Sequence, residues 1–344
     1  MSLKIIDCTL RDGSHAINYQ FSEELTKKIL LGLEKAGIQW IEMGHGKGLG
    51  ASKKYKEPAA LSDEMYIDLA KNCLTKSNFG FLCQKEFSEK KDIKSAAKKG
   101  VNFVRIGSDI NEIDVNEDYI KYAKDQGLIV FIALKKGYVI SPNHKKYIEI
   151  LNKLNKWGAD LVTIMDSAGT MLPHEVKQYI IQGKINSNIS IGFHAHNNLQ
   201  LGIANIISAI EAGADAVDVS IGGLGRSSGN APAEILALIL EKYGWGKLLD
   251  YKILSDLNDE IIFPLIKGEN RFSSKAITFG FAGFHSGFYP IIENIIQNNP
   301  SIDYRDLIIA VSKIEKEKVS KKLVEEIVDG LLNKNKRKLN KKSS

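Results

Sequence analysis

Residues 190–223, SIGFHAHNNLQLGIANIISAIEAGADAVDVSIGG, read as one strand–helix–strand unit. Two apolar, β-branched runs, Ser190–His194 and Ala216–Ser220, flank a longer helical stretch that stops at Gly213. A glycine there fits the left-handed cap that ends a helix before the chain enters a strand. Working outward, the same alternation recurs along the chain. Further runs lie at Lys4–Cys8, Trp40–Met43, Phe79–Cys83, Phe103–Ile106, Ile129–Leu134 and Leu161–Met165. Amphipathic segments such as Glu23–Ala36 and Lys145–Trp157 fall between them, and Gly37, Gly100, Gly127 and Gly158 close further segments. Eight strand–helix repeats predict an α/β fold, a (β/α)8 TIM barrel, which takes about 250 residues. The eighth helix is expected at Ala233–Tyr243. The reading therefore assigns 1–247 to a catalytic barrel and 248–332 to a small C-terminal helical domain that completes the active site. Residues 333–344 read as a basic, disordered tail.

The formal charge of +6 is uninformative about the body of the protein. Six of the 47 basic residues fall in NKNKRKLNKKSS at 333–344, so the remainder balances the 41 acidic residues. That excludes a nucleic-acid-binding body and leaves a solvated end. No apolar run approaches the roughly 18–20 residues of a membrane span, and no secretory leader is visible. Three cysteines, widely spaced and odd in number, read as buried thiols of a cytoplasmic protein.

The chemistry starts at His194-Ala195-His196. Histidines at i and i+2 on a strand share a face, so both imidazoles can reach one divalent metal. DCTLRDG at residues 7–13 offers Asp12 as a carboxylate ligand and Arg11 as a fixed cation. Two imidazoles and one carboxylate with open positions make a catalytic rather than a structural metal site. Barrel closure supplies the geometry: Asp12 follows run one, the histidines end run seven, and only strand eight separates them. Active sites sit on this C-terminal rim. Glu42, Gln84, Arg105, Lys135-Lys136 and Asp166-Ser167 are placed there too. His15 follows Asp12 in the same loop and is a candidate base. His45 reads either as a base or as a structural partner of Glu42. The glycine-rich loop 222–232 lacks the Lys-Ser/Thr of a P-loop and is read as an active-site loop.

With these residues in view, the chain resembles the metal-dependent pyruvate aldolase and Claisen-type lyase and synthase superfamily that includes hydroxymethylglutaryl-CoA lyase. Within it the 4-hydroxy-2-oxovalerate aldolases are most similar. The matching segments are TLRDGSHAINYQFS at 9–22, IEMGHGKGLG at 41–50, MDSAGTM at 165–171, HAHNNLQLGIANIISAIEAGAD at 194–215 and ITFGFAGFHSGF at 277–288. The resemblance implies manganese or magnesium held by Asp12, His194 and His196, with Asn230 as a further ligand or supporting group. It implies reversible cleavage of a 4-hydroxy-2-oxo acid into pyruvate and an aldehyde through a metal-bound pyruvate enolate. Arg11 would stabilise the enolate and His15 would take the 4-hydroxyl proton. Ser167 would orient the carboxylate, and Glu42 would hold Arg11. It also implies an acylating aldehyde dehydrogenase as partner, and a homo-oligomer or hetero-complex.

Two positions depart from the family. A tyrosine that positions the substrate hydroxyl is replaced by His285. The aldehyde pocket, apolar in the family at the third and fifth strand ends, here meets Gln84 and Lys135-Lys136. An aldehyde more polar than acetaldehyde, hydroxylated or anionic, is therefore expected. The alternative within the superfamily is a Claisen-type acyltransferase condensing acetyl-CoA with a 2-oxo acid, and a coenzyme A requirement separates the two.

Overall fold

The computed structural model describes residues 3–266 and 273–342. Its eight strands are β1 (Lys4–Asp7), β2 (Trp40–Met43), β3 (Asn78–Cys83), β4 (Phe103–Asp109), β5 (Ile129–Lys135), β6 (Leu161–Asp166), β7 (Ser190–Ala195) and β8 (Ala216–Val219). They form a closed barrel in sequence order, every pair parallel, and β1 closes on β8 with Lys4 opposite Ala216 and Asp7 opposite Val219. The predicted (β/α)8 barrel is thus the observed one. The five glycines expected to cap segments before a strand, Gly37, Gly100, Gly127, Gly158 and Gly213, all have φ between 79° and 96°. The first long helix, Glu23–Lys35, shows how local sequence sets an element. Ser22 caps it by accepting from the Leu25 N–H, and Thr26, Ile29, Leu30 and Leu33 form its buried stripe.

Strand alternation layers the barrel interior. At the bottom, Ile6, Phe103, Phe131, Leu161 and Ala216 pack with Trp40 and Ile129. Two residues further along the strands, the same face carries Glu42, Arg105, His194 and Asp218, all buried. An apolar floor thus lies under a charged layer. Towards the mouth on the opposite side, Leu82, Ala133 and Met165 form a small apolar shelf.

The chain beyond the barrel divides by its packing. Leu249, Leu254, Ile261 and Ile262 belong to the barrel's own core, and Leu257 packs over Gly32. A second core runs from Phe279 to Val328, built on the helices Ser274–Ala282, Tyr289–Gln297, Tyr304–Ile314 and Lys321–Lys342. The backbone of 333–342 continues that last helix. No helix among the described residues is long and apolar enough to cross a membrane.

Candidate active site

Asp12, His194 and His196 converge, each offering a ligand atom, and those atoms all lie within 4.8 Å of one another. Their supports fix which atoms are available. Asp218 lies 3.0 Å from His194 Nδ1, so that nitrogen carries the proton and Nε2 presents its lone pair. That Nε2 is buried and has no hydrogen-bond partner. His196 Nδ1 faces the Gly229 carbonyl at 3.3 Å, which frees its Nε2 in the same way. Asp12 accepts from Arg11 at 2.6 Å and from Asn230 Nδ2 at 3.0 Å, while Asn230 Oδ1 is buried and unpartnered. Burial alone would raise the Asp12 carboxyl, but Arg11 and the two imidazoles hold it well below the usual carboxylate range. Burial pushes His196 down to about 4, so it stays neutral at physiological pH. Orphaned acceptors, a neutral His196 and an ionised carboxylate fit a divalent cation.

Arg11 lies beside this cluster. Its Nε donates to Glu42 at 2.9 Å and its Nη1 to Asp12, but Nη2 is buried without a partner. Glu42, expected among the substrate-binding residues, is fully buried behind Arg11 and also faces Arg105 at 3.4 Å. Arg105 is not a rim residue either. It lies inside the barrel, with Nη1 donating to Asp218 at 2.6 Å and Nη2 at 3.0 Å. Sequence reasoning missed Asp218, although an acid within the apolar run Ala216–Val219 needs a buried partner.

A cavity of about 300 Å³ opens over these groups. Arg11, Asp12 and His196 line it, with Leu82 and Met165 from the apolar shelf. Ser167 lines it too, its Oγ accepting from the Lys136 N–H at 3.0 Å and its own proton free to donate. Gln84 is locked in place: Nε2 donates to the Lys47 carbonyl at 2.8 Å and Oε1 accepts from Lys135 Nζ at 3.1 Å. Lys135 and Lys136 share Asp109, at 3.2 and 2.9 Å. Lys136 Nζ also donates to the Glu317 carbonyl at 2.7 Å, tying the helical region to the rim.

His15 rests against Gly46, where an added Cβ would lie 2.7 Å from Nε2 and would displace the ring. The Gly46 carbonyl, 3.1 Å from Nε2, can only accept; Nε2 therefore carries the proton and Nδ1 is basic, 3.0 Å from the Tyr19 hydroxyl. Arg226 Nη2 lies 3.4 Å from Nδ1 and 3.1 Å from Nε2, across the ring rather than along one nitrogen. Burial, then Arg226, drives the imidazole well below its ordinary pKa. His45 contacts neither substrate cavity nor Glu42. It bonds the Glu57 carbonyl and stacks on Tyr19 at 3.9 Å, so it is a structural support. His285 enters from the helical region and lines the cavity. Its Nδ1 accepts from the Gly287 N–H at 3.1 Å, leaving Nε2–H as a donor, and burial followed by Arg226 keeps it neutral.

The HMGL-like family profile matches residues 2–261. A protein of Carboxydothermus hydrogenoformans named 4-hydroxy-2-oxovalerate aldolase is 36% identical over 313 residues, 91% of this chain and 92% of the relative. One of Moorella thermoacetica bearing the same name is 34% identical, covering 91% of each. Among solved structures, the carboxyl transferase domain of Rhizobium etli pyruvate carboxylase superposes with a TM-score of 0.77 at 16% identity, over 97% of this chain and 60% of that one. The N-terminal domain of a Bacteroides vulgatus protein described as an aldolase gives 0.75 at 23%, over 89% and 99%. These structures share the fold.

Proposed function

Since the chain belongs to the HMGL-like family and, within it, to the 4-hydroxy-2-oxovalerate aldolases, a group of carbon–carbon lyases, we propose that it cleaves a 4-hydroxy-2-oxo acid reversibly to pyruvate and an aldehyde, using a divalent metal. One observation carries this reading. The unpartnered His194 Nε2 lies in a three-ligand cluster next to Asp12's neighbour Arg11, whose buried Nη2 is also unpartnered.

Asp12, His194 and His196, with Asn230 Oδ1 beside them, would hold manganese or magnesium. When bound, the metal supplies Lewis acidity to the 2-oxo group and the carboxylate. The chain's own residues do the rest. Ser167 donates to the carboxylate. His15 Nδ1 takes the 4-hydroxyl proton, the C3–C4 bond breaks, and its electron pair passes into the C2–C3 bond. Negative charge then builds on the 2-oxygen, where Arg11 Nη2 is the preformed donor. Protonation of C3 from solvent water gives pyruvate, and His15 returns its proton to solvent. His285 Nε2–H replaces a tyrosine hydroxyl as a donor to the 4-oxygen. Leu82, Ala133 and Met165 offer an apolar shelf to the substrate's carbon chain. Gln84 and Lys135 above that shelf favour an aldehyde more polar than acetaldehyde. The helical region, which roofs the mouth, is the surface on which an acylating aldehyde dehydrogenase would dock.

The test is pyruvate release from racemic 4-hydroxy-2-oxovalerate with manganese and again with EDTA. Release that EDTA abolishes supports the reading. Proton exchange at the pyruvate methyl group without cleavage retains the enolate chemistry and redirects the search to another aldehyde. Absence of both refutes the reading.

A further inference from the structure

A second cavity, of about 560 Å³, adjoins the first, and the two share His15, Lys47, Arg226 and Gly287 in their walls. Acetaldehyde would leave this outer chamber empty. Among the described residues its lining holds three cations, Lys47, Arg226 and Lys275, and no carboxylate. Elsewhere around the mouth the cations have acidic partners: Arg11 has Glu42 and Asp12, and Lys135 and Lys136 share Asp109. Among the described residues, none of the three outer cations has an acid within ion-pair distance. Two are steadied by aromatic faces instead, Lys47 over Tyr55 at 5.3 Å and Lys275 over Tyr289 at 4.3 Å. A ring face orients an ammonium without cancelling its charge. The result, among the described residues, is an excess of positive potential. Burial, then Arg226 and Lys135, lowers Lys47 to about 8, and Glu57 and Glu86 offset this only in part. Hydroxyls complete the lining. Ser227 accepts from Asn198 and Ser273 caps a helix by accepting from Ala276, so each retains a proton to donate.

Building on the aldolase reading, we propose that the outer chamber binds an oxyanion, a carboxylate or a phosphate, carried at the far end of the acceptor aldehyde. Lys47 and Arg226 stand at the junction of the chambers and Lys275 contributes from the helical region. The aldehyde carbon would then lie in the inner cavity beside His285 while the charged end reaches outward. An extended acceptor of this kind accounts for both chambers, and for Gln84 and Lys135 where family members are apolar.

The experiment compares condensation of pyruvate with butanal, succinic semialdehyde and glyceraldehyde 3-phosphate. Proton exchange at the pyruvate methyl group, with no aldehyde present, is measured alongside. Support is a kcat/KM for one anionic aldehyde about tenfold or more above that for butanal, eroded by potassium chloride. The better anion identifies carboxylate or phosphate. Lys47→Gln and Lys275→Gln should each shrink that ratio, and Lys47→Arg should restore it. Equal kcat/KM for charged and uncharged aldehydes, with exchange intact, overturns the outer site and leaves the aldolase reading standing. Loss of both exchange and condensation in the unaltered protein overturns the two together.

Discussion

The two halves of the mouth are built differently. On the side of β1, β2, β7 and β8, the functional groups are buried and held by other buried groups: Asp218 holds His194, Glu42 holds Arg11, and Asn230 holds Asp12. Across the mouth, Gln84, Lys135, Lys136, Lys47 and His285 stand on strand ends and loops; all but Lys136 are more open to solvent, and Gln84, Lys135 and Lys136 are held by backbone carbonyls, by one another and by a single acid, Asp109. The first half is organised to stabilise one charge in one place. The second can change its residues without disturbing that charge. A barrel permits this because its interior layers are rigid while its loops are attached at one rim.

If the first half acts through a preformed donor, its disruption has the largest effect. Arg11→Gln should lower kcat by about 10²–10³ with little change in KM, because the lost contact strengthens as charge develops. Steady-state kinetics of pyruvate release check this. A rise in KM alone would mean that Arg11 only binds the substrate. Next in size is Asp218→Asn. Supporting groups of this kind cost about 10–100-fold in metal affinity when removed. Breaking the Arg105 pair also leaves that buried cation with Glu42 alone, at 3.4 Å, a loss of up to about 3–5 kcal/mol. Manganese titration of activity and urea unfolding separate these effects. Unchanged metal affinity would make Asp218 a purely structural partner of Arg105.

The same contrast explains what the sequence disclosed. The barrel, Asp12, Arg11 and the histidine pair were legible because strand alternation and parallel closure alone bring residues 12, 194 and 196 to one rim. Glu42 was legible as a partner of Arg11, but its burial was not, because its depth depends on the register of β2 against β1 and β3. Arg105 and Asp218 escaped for a related reason. Each is a single charge in an apolar run, and their pairing across 113 positions exists only once the barrel is closed. Lys47 and Arg226 were illegible as a pair because loop geometry sets their proximity. The second core was placed too early, since 248–266 looks helical wherever it packs, and only contact with the barrel helix at Gly32 shows which core it joins.

The second half should tolerate exchange. Gln84→Leu with Lys135→Met leaves Asp109 paired with Lys136, so folding should be preserved. The ratio of kcat/KM for polar over apolar aldehydes should fall by about tenfold, the scale on which pocket apolarity discriminates. Measured pyruvate proton exchange should stay as it was. An unchanged aldehyde ratio would show that these side chains do not face the aldehyde.

The smallest effect tests where the halves meet. His15 belongs to the loop after β1, yet Arg226 across its ring and Lys47 nearby lower its pKa together with burial, while Asp12 raises it. A depressed pKa keeps the imidazole unprotonated and available to accept a proton, so the acidic limb of the pH–kcat/KM profile should lie below His15's ordinary value of about 6.5. Removing the Arg226 charge in Arg226→Gln takes away a force that disfavours protonation. The limb should therefore move upward, towards the ordinary value, and activity should fail sooner as pH drops. Burial still acts on the ring, so recovery should be incomplete. A limb that does not move would assign it to another group and separate Arg226 from proton transfer. A limb that moves would show that Arg226, on the loop after β8, tunes the base on the loop after β1 through charge alone.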